Sequence, residues 1–197
     1  MHIDYYLAPQ SPWAYLGHER LVRIAREHGA SVRVLTMDLG HIFPLSGGLP
    51  LPKRAPQRQA YRLVELKRFS AALALPLNLH PKFFPVAYDD AARLITCVSQ
   101  HDGSDASLAL TGRILKAVWA EERDIADAAT LALLLGEAGL PASRQAEAAE
   151  AGVQAAYAAQ TQAAIDAGVF GSPSYVIDGE IFWGQDRLDF VERKLRA

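Results

Sequence analysis

The hydrophobic positions at the start of the chain first alternate with polar ones and then change to a helical spacing. The alternation over residues 2–7 predicts a β-strand. Apolar residues then recur every three to four positions over 12–28, and Gly29 follows as a C-terminal stop, so we expect a helix there. A β-rich stretch at 32–37 predicts a second strand. This strand–helix–strand order predicts a βαβ unit whose strands run parallel.

The middle of the chain differs from the start in composition and in periodicity. Residues 44–56 are rich in proline and glycine, which predicts a mobile loop. From Gln57 to about Gly168 the sequence is dominated by alanine, leucine, arginine and glutamate with helical periodicity. The pattern predicts five helices, separated by glycine or proline: Arg58–Leu73, Tyr88–His101, Ala106–Glu122, Ala128–Glu137 and Ser143–Ala167.

The last thirty residues return to a strand pattern. Residues 174–177 and 180–183 flank Asp178-Gly179, the residue pair that type I′ turns prefer, which predicts a β-hairpin. A final helix follows, for which Asp186 is the expected cap. Its apolar face is expected to consist of Leu188, Val191 and Leu195.

The summed plan predicts an α/β fold, written β-α-β, then helices, then β-β-α. We expect one split domain formed by residues 1–40 and 165–197. Residues 41–164 would form a helical domain inserted into it.

Composition narrows the function classes. The chain has 197 residues, 50% of them hydrophobic, and a net charge of −2 without a long basic run. This balance argues against nucleic-acid and anionic-membrane binding. The chain opens on a strand pattern, and no apolar run reaches the roughly 18 residues of a membrane span. We therefore expect a soluble protein without a signal peptide.

The single cysteine, Cys97, excludes an internal disulfide and favours a reducing compartment, most simply the cytoplasm. Cys97 lies in a predicted helix that does not begin next to it, so a packed structural thiol is the favoured interpretation. The six histidines are scattered without the paired spacing of a zinc site, and we expect no metal.

Ser11-Pro12 marks the start of the first helix. Serine is a good N-cap, and proline fits the first turn, where a missing N–H costs nothing. A hydroxyl and free N–H groups at the positive end of a helix can bind a carboxylate, a phosphate or a thiolate. An ordinary capped helix is the alternative interpretation of this segment alone.

Pro173 directly precedes a predicted strand. X–Pro bonds are the main source of cis peptides in folded proteins, and they usually occur in tight turns. We therefore predict a cis peptide before Pro173, with a trans proline that begins the strand as the alternative.

Three segments together form a known set of motifs. Ser11-Pro12 is followed by Tyr15-Leu16-Gly17, residues 168–174 read Gly-Val-Phe-Gly-Ser-Pro-Ser, and residues 182–188 read Phe-Trp-Gly-Gln-Asp-Arg-Leu. With these motifs the whole chain resembles the 2-hydroxychromene-2-carboxylate isomerases and their relatives, the kappa-class glutathione transferases. The resemblance implies a thioredoxin-like, DsbA-like fold with a large helical insertion, and a homodimer.

The resemblance also implies a glutathione site. Ser11 would donate its hydroxyl to the glutathione sulfur, and the backbone of Ser172 beside Pro173 would pair with the cysteinyl backbone. Gln185 and Asp186 would hold the γ-glutamyl end. Disulfide oxidoreductases of this superfamily carry Cys-x-x-Cys where this chain has serine and alanine, so dithiol exchange is not expected here.

The implied reaction is addition of the bound thiolate to the conjugated chromene carboxylate, rotation about the bond made single, and elimination to trans-o-hydroxybenzylidenepyruvate. A kappa-like transferase or peroxidase is an alternative, and so is a binding protein that has lost catalysis. Gly48 and Ala87 stand where the family usually has asparagine, which motivates the last alternative. Lys53, Arg54 and Arg58 are candidates to hold a substrate carboxylate, although a solvated basic loop also explains them.

Overall fold

A four-stranded mixed sheet forms the centre of the protein, whose computed structural model describes all 197 residues. The strands are β1 (His2–Leu7), β2 (Ser31–Thr36), β3 (Ser174–Ile177) and β4 (Glu180–Trp183), in the order β2-β1-β3-β4. β1 runs parallel to β2 and antiparallel to β3, and β4 is antiparallel to β3. The predicted βαβ unit and C-terminal hairpin are both present.

Nine α-helices surround the sheet and fill the segment between β2 and β3. Their bounds are α1 Pro12–Glu27, α2 Leu39–Ser46, α3 Pro56–Leu73, α4 Asp89–His101, α5 Ser104–Trp119, α6 Ala128–Glu137, α7 Arg144–Glu147, α8 Ala151–Asp166 and α9 Leu188–Arg196. Short 3-10 turns occupy Leu51–Lys53 and Gln185–Arg187. None of the helices is both long and apolar enough to cross a membrane.

Three sequence-based expectations are corrected by the structure. The segment 44–56, expected to be a loop, includes the end of α2 and a 3-10 turn. The helix expected over 143–167 is divided into α7 and α8. Asp186 does not cap the last helix, because that helix begins at Leu188 after the 3-10 turn and has no side-chain cap.

The sheet and the helices between β2 and β3 share one hydrophobic core. A cluster of 40 buried residues includes Tyr5 and Val34 from the strands together with Trp119 and Leu134 from the helical segment. The helix pairs α1·α5 and α4·α5 pack together, and α4 and α5 both pack on β2. The division into residues 1–40 with 165–197 and an inserted 41–164 stays a prediction, since this core joins the two parts.

Candidate functional site

The first helix begins where the sequence predicted. Ser11 has β-region backbone angles (φ −75°, ψ 121°), and its Oγ accepts a hydrogen bond from the Ala14 N–H at 3.2 Å, so it is the N-cap of α1. Pro12 occupies the first turn, which contains no acidic residue. The positive end of the helix is therefore not neutralised by a carboxylate of its own first turn.

The loop before β3 lies against this helix start. The Ser172–Pro173 peptide is cis, which confirms the sequence-based prediction. The Ser11 hydroxyl donates to the Ser172 carbonyl oxygen at 3.2 Å, and the Ala8 N–H donates to Ser172 Oγ at 3.0 Å. Residues 161 to 164 positions apart in the chain therefore meet at one notch.

Ser172 presents one polar group that the protein does not use. Its carbonyl and hydroxyl oxygens both accept hydrogen bonds, whereas its backbone N–H finds no acceptor within the protein. A free N–H beside the N-cap hydroxyl is suited to an extended backbone or an anion from outside.

The turn that follows β4 is hydrogen-bonded to the same loop. The Gly184 N–H donates to the Pro173 carbonyl at 2.9 Å. Asp186 is exposed, and its carboxylate pairs with the Arg187 guanidinium at 3.1 Å. The hydrogen bond of Gly184 thus joins the turn that carries this solvent-accessible carboxylate to the loop of Pro173.

Gln185, by contrast, is buried beneath α1. Its side chain belongs to a residue only 2% exposed. Gly17 permits this close approach, because a Cβ at that position would lie 2.8 Å from both Gln185 Cβ and Tyr175 Oη. The Gln185 side chain therefore packs into the protein, while its neighbour Asp186 faces solvent.

Four buried polar atoms close to α1 have no hydrogen-bond partner in the protein: Tyr5 Oη, His18 Nδ1, Tyr175 Oη and Gln185 Nε2. The Tyr5 ring stacks on that of Tyr175 at 5.4 Å and lies 6.0 Å from the His18 ring. Burial lowers the pKa of His18 to about 4 and raises the pKa of both tyrosines. These groups are uncharged at neutral pH. The sequence analysis overlooked His18, although its place on the apolar face of a predicted helix was visible.

The loop before Ser11 is held by distant residues. The Trp119 indole N–H donates to the Gln10 carbonyl at 3.2 Å, and Gln10 Oε1 accepts from the Val86 N–H at 3.2 Å. The segment carrying Val86 contains a second cis peptide, Phe84–Pro85, which the sequence analysis did not predict. These contacts fix the entry to α1 from the helical side of the protein.

Of the two positions that lack the family asparagine, one lies against an aromatic ring. A Cβ at Gly48 would lie 2.5 Å from Phe43 Cδ1, so Phe43 packs closely over this backbone. Tyr88, which follows Ala87, is buried, and its hydroxyl oxygen accepts the Leu39 N–H at 3.0 Å. Tyr88 therefore supports the start of α2.

Cys97 is buried, as predicted, and burial raises the pKa of its thiol. Its Sγ, His101 and Glu147 place three potential metal-ligand atoms within 4.8 Å of one another. The Glu147 carboxylate is, however, ion-paired with Arg144, whose guanidinium also bonds Asp102 at 2.7 Å. An ion-pair cluster accounts for these side chains, and they lie on α4 and α7 rather than at the start of α1.

Comparison with known proteins identifies the family to which the chain is similar. A family model described as the DSBA-like thioredoxin domain matches residues 2–196. A curated 2-hydroxychromene-2-carboxylate isomerase from Pseudomonas putida is 31% identical over 198 residues, covering 98% of this chain and 93% of the relative. A protein of the same name from Sphingobium xenophagum is 29% identical, covering 98% and 97% of the two chains.

Solved structures give the same fold. A 2-hydroxychromene-2-carboxylate isomerase superposes with a TM-score of 0.83 at 26% identity, over 100% of this chain and 95% of the other. The cytosolic disulfide reductase DsbM from Pseudomonas aeruginosa, solved with GSH, superposes with a TM-score of 0.70 at 19% identity over the whole of both chains. The second likeness concerns the fold alone.

Proposed function

Because the chain belongs to the 2-hydroxychromene-2-carboxylate isomerase family, within the DSBA-like thioredoxin proteins, we propose that it is a glutathione-dependent isomerase. Its substrate is 2-hydroxychromene-2-carboxylate, or a related conjugated carbonyl compound, and its product trans-o-hydroxybenzylidenepyruvate. The observation that carries the proposal is the notch in which the Ser11 hydroxyl, the start of α1 and the Ser172 backbone meet.

The groups in the notch fit a thiol-bearing tripeptide. Glutathione supplies a nucleophilic sulfur and leaves the cycle unchanged. The Ser11 hydroxyl donates a hydrogen bond to that sulfur in place of its bond to the Ser172 carbonyl. The free Ser172 N–H beside Pro173 pairs with the tripeptide backbone. Asp186 attracts the γ-glutamyl ammonium group. Since the Gln185 side chain is buried, we assign its contribution to the main chain of the turn.

The energies are adequate for holding a thiolate. Lowering a thiol pKa from about 8.5 by roughly two units requires about 2.7 kcal/mol. A hydrogen bond to a charged group supplies about 1.5–3 kcal/mol, and a helix N-terminus a further 0.3–2 kcal/mol or so. One hydroxyl and one helix end are therefore sufficient, and no second cysteine is needed.

The test is turnover of 2-hydroxychromene-2-carboxylate with and without glutathione, followed by chromatography of the products. Conversion to the trans product only when glutathione is present, with glutathione recovered unchanged, supports the proposal. Accumulation of a glutathione conjugate instead indicates a transferase. Absence of turnover at several substrate concentrations contradicts the proposal.

Thermal unfolding with glutathione tests the site independently of turnover. A ligand at 100 times its dissociation constant stabilises the folded state by about 2.7 kcal/mol, which corresponds to a rise in Tm of roughly 5–11 °C for a chain of this size. Stabilisation without turnover identifies a binding protein that has lost catalysis, and no stabilisation excludes the glutathione site. A cytoplasmic homodimer remains part of the proposal, and sedimentation of the purified protein tests its dimeric state.

A further inference from the structure

Arg62 lies on α3 beside a pair of aromatic rings that contact each other. Its Cζ is 5.1 Å from the centroid of the Phe84 ring and 5.6 Å from that of Trp119, and the two ring centroids are 4.8 Å apart. The Nη2 atom is shielded from solvent and has no hydrogen-bond partner in the protein. The guanidinium is thus within cation–π distance of both rings, and one of its donor groups is unused.

The charge of Arg62 is also unpaired. It makes no ion pair with any carboxylate of the chain, in contrast to Arg68 on the same helix, which pairs with Glu65 at 2.6 Å. Burial, with a further contribution from the nearby Arg54 cation, lowers the pKa of Arg62 to about 10, so it stays protonated at neutral pH. A partly buried cation without an anion is costly, and a bound anion would compensate it.

A single side chain connects Arg62 to the notch. The Trp119 indole, whose ring centroid lies 5.6 Å from the Arg62 Cζ, donates its N–H to the carbonyl of Gln10, the residue before Ser11. Arg62 is therefore linked, through Trp119, to the loop that leads into α1.

We propose that Arg62 binds the carboxylate of the aromatic substrate and positions its conjugated system beside Ser11. This inference rests on the proposed function and extends it to a specificity-determining residue on α3. Planar guanidinium groups bind carboxylates through two parallel hydrogen bonds, and contact with aromatic rings restricts the freedom of the arginine side chain. The partly buried Phe84 ring supplies an apolar surface alongside.

The experiment separates carboxylate recognition from packing. Calorimetry in the presence of glutathione measures the binding of two inert probes, cinnamate and its uncharged amide. Arg62→Met removes the charge and the donors but keeps an unbranched stem beside the rings, and Arg62→Lys keeps the charge without the planar group. Lys67→Gln is the matched control, because Lys67 is an exposed cation on the same helix without an ion pair.

We expect the wild-type protein to bind cinnamate more tightly than the amide. Arg62→Met should weaken cinnamate binding roughly 10- to 100-fold, as loss of a charge-assisted hydrogen bond does, and leave amide binding unchanged. Arg62→Lys should be intermediate, and Lys67→Gln should match the wild type. If isomerase activity is found, the KM for the chromene carboxylate should rise in parallel in Arg62→Met.

Four results would overturn the proposal. Equal weakening of both probes, or unchanged binding of both cinnamate and glutathione, assigns Arg62 to packing alone. Weaker glutathione binding with unchanged cinnamate binding assigns it to a carboxylate of glutathione. A wild-type protein that does not distinguish cinnamate from the amide has no carboxylate site there. These binding measurements need no turnover. A protein that is inactive on the chromene carboxylate would contradict the proposed function, and the measurements would still test the role of Arg62.

Discussion

Replacing Ser11 with alanine removes both hydrogen bonds of one hydroxyl. That hydroxyl accepts from the Ala14 N–H at 3.2 Å and donates to the Ser172 carbonyl at 3.2 Å. The first bond belongs to the cap of α1, and the second is the one that a bound sulfur would replace. Ser11→Ala should therefore affect the stability of the fold and the pKa of a bound thiol by separate amounts.

The pKa effect should be the larger of the two. If the wild-type site lowers the thiol pKa to about 6.5, roughly three-quarters of the bound thiol is ionised at pH 7. Loss of a charge-assisted hydrogen bond worth about 1.5–3 kcal/mol raises that pKa by about one to two units, so the ionised fraction falls to about a fifth or less. Loss of the cap costs about 1 kcal/mol, which lowers Tm by roughly 2–4 °C.

Ultraviolet absorbance of the bound thiolate, followed as a function of pH, measures the pKa directly. Asp127→Ala is the matched control, because Asp127 caps α6 through the Ala129 and Thr130 N–H groups, far along the chain from the notch. The control should lose similar stability and keep the wild-type thiol pKa. A thiol pKa that is unchanged in Ser11→Ala would refute the assignment of Ser11.

Two further predictions concern the groups packed around α1. Because the pKa of His18 is about 4 when folded and about 6.5 when unfolded, its stabilising contribution is complete above pH 6.5 and is lost as the pH falls through 4. The free energy of unfolding should therefore fall between pH 7.5 and pH 5 by about 2 kcal/mol more in the wild type than in His18→Gln. The exposed control His80→Gln should behave as the wild type. Equal pH dependence in all three proteins would contradict the assignment. Gly17→Ala places a methyl group 2.8 Å from Gln185 Cβ and Tyr175 Oη. Chemical denaturation should therefore show a free energy of unfolding lower by about 1–3 kcal/mol, and calorimetry should show weaker glutathione binding. A variant of wild-type stability would show that the turn at Gln185 moves to accommodate the methyl group.

Local signals explain why much of the fold was predictable. The Asp178-Gly179 pair requires positive φ at both positions, and the structure has φ of 50° and 79° there, so the hairpin follows from the two residues themselves. The Ser11 cap of α1 was predictable because it also depends on local sequence alone, namely on Ser11 and the next three residues.

Contacts between distant residues explain what was not predictable. Nothing local to Gln10 indicates that Trp119 would bind its carbonyl, and nothing local to Arg62 indicates that Phe84 would stack on it. In the alanine-rich run over 143–167 the break between α7 and α8 falls among alanines, and the one glycine, Gly152, lies just inside α8. Tertiary packing determined each of these features.

The chain shares its fold with a 2-hydroxychromene-2-carboxylate isomerase and with the disulfide reductase DsbM. A helix N-terminus favours a sulfur anion whether the sulfur belongs to the protein or to a ligand. In this chain the only cysteine, Cys97, is buried on α4 with a raised thiol pKa, so the protein has no reactive sulfur of its own to place there. A sulfur atom at this helix start would therefore have to come from outside the protein, and this is the basis of the role proposed for the Ser11 hydroxyl as its hydrogen-bond donor.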